Sequence, residues 1–287
     1  MTRRFIQFPH PGSEHRPDGD SSWSKSWNVT TRQHARKFMC LDGSWLDGTT
    51  IRNGSLWAWG EWEAESRVLR RLLQPEPQYP GLLWAPYYVR PSEFTCLHNT
   101  DPFIFDGFYY TDCKQDSMNA IRRVAQGSVI IFGSVLNNEW VMDTLLVIMK
   151  SVEHTHDNYK ENLKGIVPDA YWDVTLGPTY EGQEHEKRFR TRTLHIGATY
   201  LEPLDGMYSF FPAIAARAGP GFKRPKIELD SKYFNRKLLQ GGKGTARTAP
   251  SISLSEMRKL WSSIKDQVIA QGLSLGLSAC APPHCGS

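Results

Sequence analysis

Residues 128–149 read SVIIFGSVLNNEWVMDTLLVIM, and no other stretch narrows the choice of fold as far. "SVIIFGS" and "WVMDTLLVIM" are apolar runs rich in branched side chains, which pack well on a pleated surface. "VLNNE" stands between them. Asn tolerates the left-handed backbone that a two-residue hairpin turn demands, so Asn137-Asn138 predicts a tight turn. The chain is therefore built on an antiparallel sheet.

Other elements are read around that hairpin. Phe5 to Phe8 is a short first strand. A brief helix is expected from Thr30 or Thr31 through "RQHARKFM". "GSLWAWGEWEAES" (residues 54–66) is a strand. Period two puts Leu56, Ala58, Gly60 and Trp62 on one face and Trp57, Trp59, Glu61 and Glu63 on the other. "ESRVLRRLL" is expected to be a short helix with Val68, Leu69, Leu72 and Leu73 inward, stopped by Pro75 and Pro77. Residues 75–114 form a tract rich in Pro and aromatics. "DSMNAIRRVAQG" is expected to be a helix capped by Asp116 and ended by Gly127. "RFRTRTLHIGATYLE" is a strand, and "DGMYSFFPAIAARAGPGF" a loop or strand. "SLSEMRKLWSSIKDQVIAQG" is an amphipathic helix. Ser253 and Glu256 form its capping box, Met257, Leu260, Trp261, Ile264 and Val268 its buried stripe, and Gly272 its end. Residues 241–250 look flexible, and the tail "SACAPPHCGS" is expected to fray. The order is not alternating βαβ. It predicts an α+β fold: a mixed, mainly antiparallel, partly closed β-sheet with flanking short helices and a C-terminal amphipathic helix.

At 40% hydrophobic and 22% charged residues, composition is that of a globular chain, read as one domain over 1–287. A possible subdivision is an acidic, aromatic-rich part (1–186), a basic part (187–272) and the tail (273–287). Five Cys, an odd number, give no disulfide framework. The first residues carry no apolar signal core, and the longest apolar run is far too short to span a bilayer. A cytoplasmic protein without membrane partners is the expectation.

Chemistry-bearing residues fall into four groups. In "FPHPGSEHRPDGD", His10, Glu14, His15, Asp18 and Asp20 crowd a loop, and Glu14 with His15 suit acid–base work. His34, Arg36 and Lys37 follow as an anion clamp. In the Trp/Glu strand, Trp57 and Trp59, if outward, suit stacking on a base or sugar, and Glu61 suits a general base. Asp143 is a lone carboxylate inside an apolar strand, a position that requires partners or a raised pKa. Arg188, Arg190 and Arg192 in "KRFRTRT" share one strand face. Between Lys187 and Lys265 basic residues outnumber acidic ones by about ten, the pattern of a polyanion footprint or of one half neutralising the other. Cys96, His98 and Cys113 lack a fourth metal ligand, and no metal site is expected. No cofactor is indicated.

A Glu-bearing strand, a helix, then "GSVIIFGS" and a return strand resemble the core of PUA-like barrels of the ASCH and EVE kind, over about residues 55–149. The long aromatic insertion departs from that pattern. The resemblance implies binding of RNA, modified bases or nucleotides. The leading expectation is thus a protein that binds a nucleic acid or nucleotide. Alternatives are a hydrolase or transferase on a phosphorylated nucleoside or sugar, using a Glu/His pair, and a non-catalytic assembly protein.

Overall fold

β8 (Val129–Leu136) and β9 (Glu139–His154) form the hairpin that residues 128–149 predict. Asn137 and Asn138 both take positive φ, at 48° and 65°, and Leu136 pairs with Glu139. The computed structural model describes residues 2–10, 12–17, 24–25, 35–90, 100–115, 118–181, 191–237, 247–248 and 251–285.

The other strands are β1 (Phe5–Pro9), β2 (Ser24–Lys25), β3 (Lys37–Asp47), β4 (Thr50–Gly60), β5 (Ser66–Arg71), β6 (Leu82–Pro86), β7 (Tyr109–Tyr110), β10 (Arg192–Gly197), β11 (Phe211–Ala215), β12 (Arg247–Thr248) and β13 (Ser274–Ala279). Helices are α1 (Asn119–Arg122), α2 (Tyr159–Leu163), α3 (Asp169–Tyr171), α4 (Gly177–Glu181) and α5 (Leu254–Ala270), with a π-helical turn, Trp172–Leu176, between α3 and α4. One sheet runs β12-β1-β8-β9-β10-β7, the other β13-β11-β4-β3-β6-β5-β2. Pairing is antiparallel except β1 with β8 and β3 with β6. β13 pairs with both β11 and β3, so β13, β11, β4 and β3 close on themselves. The α+β class and the partly closed, mainly antiparallel sheet follow the sequence reading.

Both faces of the central strands are covered. Ile130, Phe132, Leu146 and Ile148 join one apolar cluster, while Val129, Ile131, Leu145 and Val147 join another. α5 covers the second cluster with its predicted stripe, and its capping box is formed: the Ser253 hydroxyl accepts the Glu256 N–H, and Glu256 Oε2 accepts the Ser253 N–H.

Four local expectations are corrected. "ESRVLRRLL" is strand, not helix. β5 pairs with β2 and β6, Val68 and Leu72 are buried, and Leu73 is 91% exposed. Pairing on two sides here outweighs helix propensity. Residues from Lys37 onward, expected in a helix, open the long β3, hydrogen-bonded along β4. The helix over "DSMNAIRRVAQG" shrinks to α1, and Asp116 lies outside the described residues. The tail does not fray through residue 285. β13 is an interior strand, the Cys280 N–H binds the Asp42 carbonyl, and the Cys285 N–H binds the Tyr88 carbonyl.

Candidate functional site

The ends of β1 and β4, the start of β3 and the middle of β9 bring four charged or titratable side chains together: His10, Arg36, Glu61 and Asp143, each at most 4% exposed. A bulge in the central hairpin makes this possible. Phe132 pairs with Thr144 and Gly133 with Met142, so Asp143 is the extra residue, freed from the ladder. Only glycine fits opposite it, because a Cβ on Gly133 would collide with the Val141 carbonyl.

Arg36 spans the two sheets. Its Nε donates to Asp143 Oδ2 at 3.0 Å, and its Nη1 lies 2.8 Å from Glu61 Oε2. Burial alone would lower the Arg36 guanidinium. The two carboxylates outweigh it and hold the group above its ordinary value. Glu61 Oε2 also lies 3.5 Å from His10 Nδ1. On the far side of Asp143, Arg224 Nη1 is 3.5 Å from Oδ1, and its Nη2 donates to the Gly12 carbonyl. Burial holds Arg224 below its ordinary value, against the pull of Asp143. Its guanidinium lies over the Trp59 ring, 4.9 Å from the centroid. A chain of ionisable groups thus runs His10–Glu61–Arg36–Asp143–Arg224.

The sequence candidates distribute around this chain as follows. Glu61, Arg36 and Asp143 form it. His15 is buried beside it, its N–H bonded to the Arg36 carbonyl. Glu14 bridges Arg36 along the backbone, but its carboxylate turns to the loop before β6, accepting the Gly81 and Leu82 N–H groups at 3.0 and 3.1 Å. Lys37, next along β3, points elsewhere and donates to the Ala64 carbonyl at 3.1 Å. Trp57 and Trp59 alternate as expected with Leu56 and Ala58, yet their face is not open: each ring is 3% exposed. Phe38 packs between them, Trp59 Nε1 donates to the Phe222 carbonyl, and Arg70 lies over Trp57. His34, Arg188 and Arg190 lie outside the described residues, as do Cys96 and His98. Arg192 faces inward and pairs with Asp112.

A second polar network adjoins the first. The Asp101 carboxylate accepts the N–H groups of Thr111, Asp112 and Cys113. Burial pushes it up to about 8, against those donors, and the Glu61 charge adds to the rise. His154 bonds the Thr111 hydroxyl through Nε2 at 2.8 Å and the Tyr180 hydroxyl through Nδ1 at 2.6 Å. Burial pushes it down to about 4.

His15 is the expected acid–base imidazole, whereas His10, in the same loop motif, is the one that meets Glu61. Arg224, Asp101, Asp112 and His195 are functional-site neighbours that the sequence candidates do not include. The signal for His195 is the one that exposed Asp143: a single polar residue, in "TLHIG", flanked by apolar ones.

Among the described residues no cluster of three or more His, Cys, Asp or Glu side chains could hold a metal ion, and no helix is long and apolar enough to cross a membrane. Comparison with family models, with curated proteins and with solved structures finds no match.

Proposed function

We propose that this chain is an enzyme acting on a small nucleoside- or nucleotide-class molecule by acid–base chemistry, with Glu61 as the base and His10 as its proton partner. The observation that carries this reading is the contact of Glu61 with His10 and Arg36, buried at the junction of the sheets. Charges at such depth are costly and cluster where chemistry needs them. Arg36 Nη2 forms no hydrogen bond among the described residues, which leaves a donor for an anionic or carbonyl group of a substrate. The substrate class rests on the resemblance to PUA-like barrels.

A polymer footprint draws less support. Several of the late cations among the described residues are matched within the chain: Lys223 by Glu76, Lys226 by Glu139, Arg236 by Glu228 and Arg258 by Asp205. The buried indoles offer no exposed stacking platform.

Incubating the protein with nucleosides, nucleotides and phosphorylated sugars, with products followed by mass spectrometry, tests the reading. Turnover is expected for at least one of them. Glu61→Gln and His10→Gln should each lower it by about 10² or more, with folding verified by circular dichroism. Turnover that survives Glu61→Gln would overturn the assignment. So would no turnover at all together with salt-sensitive retention on RNA or DNA, which would return the polymer.

A further inference from the structure

Away from Glu61, residues of α2, the π-helical turn, α4 and Arg90 enclose a cavity of about 420 Å³. That is the size of a small-ligand site. Its wall is sorted by depth. The Asp173 side chain is 17% exposed, while the Arg90 and Lys160 side chains are 58% and 72% exposed. The carboxylate therefore lies inside and the cations lie at the rim. Burial raises the pKa of Asp173 and the Arg90 charge only partly offsets this. Asp169 and Glu181 add two further carboxylates to the wall, and Tyr159 and Trp172 supply its aromatic face. The Tyr159 and Trp172 rings stand 5.9 Å apart at 44°, and Tyr159 stacks on Tyr180 behind it at 4.3 Å.

Two of the chain's own cations already show what these walls hold. The Lys160 ammonium lies over the Tyr159 ring at 5.7 Å. The Arg90 guanidinium lies between Asp173, at 3.3 Å, and Glu181, at 3.9 Å. Both belong to exposed side chains, and the long contacts of Arg90 are those of a weak surface pair that a competitor displaces easily. Glu181 is otherwise engaged by the Tyr159 hydroxyl and by Lys160, whereas the ion pair of Asp173 is with Arg90. The π-helical turn that presents Trp172 and Asp173 side by side is a rare conformation, found most often at functional sites.

We infer that this cavity binds a small organic cation of the guanidinium class, which takes the place of Arg90 against Asp173 and stacks on the Trp172–Tyr159 wall. The site is separate from Glu61 and does not depend on the reading given to it.

Methylguanidinium chloride is the probe, with sodium chloride at equal ionic strength as the control. Tryptophan fluorescence is the signal, assigned to the site by its loss in Trp172→Phe. Saturable binding is expected. Arg90→Ala removes the internal competitor and should tighten it by about threefold or more, whereas Asp173→Asn should weaken it about tenfold. Ionic screening would move both variants alike, so the opposite signs are diagnostic. Glu61→Gln should leave the titration unchanged, which keeps this test apart from that of the acid–base pair. No saturable response in Arg90→Ala, or equal affinity in Asp173→Asn and the parent, would overturn the inference.

Discussion

Asp143 meets two guanidiniums, Arg36 Nε at 3.0 Å and Arg224 Nη1 at 3.5 Å, and is itself 2% exposed. Removing it takes away the ion-pair partner of Arg224 and one of the two carboxylates that Arg36 holds. Breaking a buried pair from one side typically costs about 3–5 kcal/mol, since the remaining charge has neither water nor a partner. Asp143→Ala should therefore lower the unfolding free energy by about that much in urea titrations. Lys226→Ala provides the contrast. Lys226 pairs with Glu139 and Glu228 in solvent, and its loss should leave the urea midpoint where it was. Equal midpoints for Asp143→Ala and the parent would mean that the chain of charge through Arg36 contributes nothing to holding the sheets together.

The elements differ in how openly the sequence declares them, and the difference is one of range. α5 is specified locally, by a cap, a stripe and a stop, and the structure reproduces all three. The β8–β9 hairpin is specified by its own turn and its two apolar runs. β5 is not: "ESRVLRRLL" has helical spacing, and only its neighbours β2 and β6 make it a strand. β13 is likewise set by partners distant in the chain, β11 and β3. The candidate site follows the same rule. Asp143 stands out in sequence because it interrupts an apolar run. That Arg36 and Glu61 meet it depends on a bulge and a sheet junction that no local pattern encodes. The local element can be tested locally: Ser253→Ala removes the hydroxyl that accepts the Glu256 N–H and should cost about 1 kcal/mol of stability. A Ser253→Asn change, which keeps a capping oxygen, should restore most of it. Urea unfolding of the pair checks both, and an unaltered midpoint in Ser253→Ala would show that tertiary packing alone holds α5.

At the scale of the whole molecule, the buried histidines couple stability to pH. His195 Nε2 lies 2.9 Å from the Ile121 carbonyl, which can only accept, so this nitrogen carries the proton. Nδ1 then accepts from the Ser151 hydroxyl at 2.8 Å, and the ring is neutral with both nitrogens used. Burial pushes His195 down to about 4, and His154 likewise. Between the unfolded value near 6.5 and the folded value near 4, the unfolded chain binds protons that the folded chain refuses. Their contribution is therefore fully present above about pH 6.5 and is lost as the pH falls through that window, on the order of 3 kcal/mol for each ring. Asp101 acts with the opposite sign. Its folded pKa of about 8 lies above the ordinary carboxylate value, so its effect on stability declines as the pH rises toward 8. For these three groups alone, the opposing slopes change sign near pH 6.5. Comparing the parent with His195→Gln separates them, because the Asp101 contribution is common to both and cancels in the difference. The parent should lose more stability than the variant between about pH 6.5 and about pH 4.5, by the slope of one proton. Parallel pH profiles for the two proteins would show that His195 takes up its proton as readily in the folded chain as in the unfolded one.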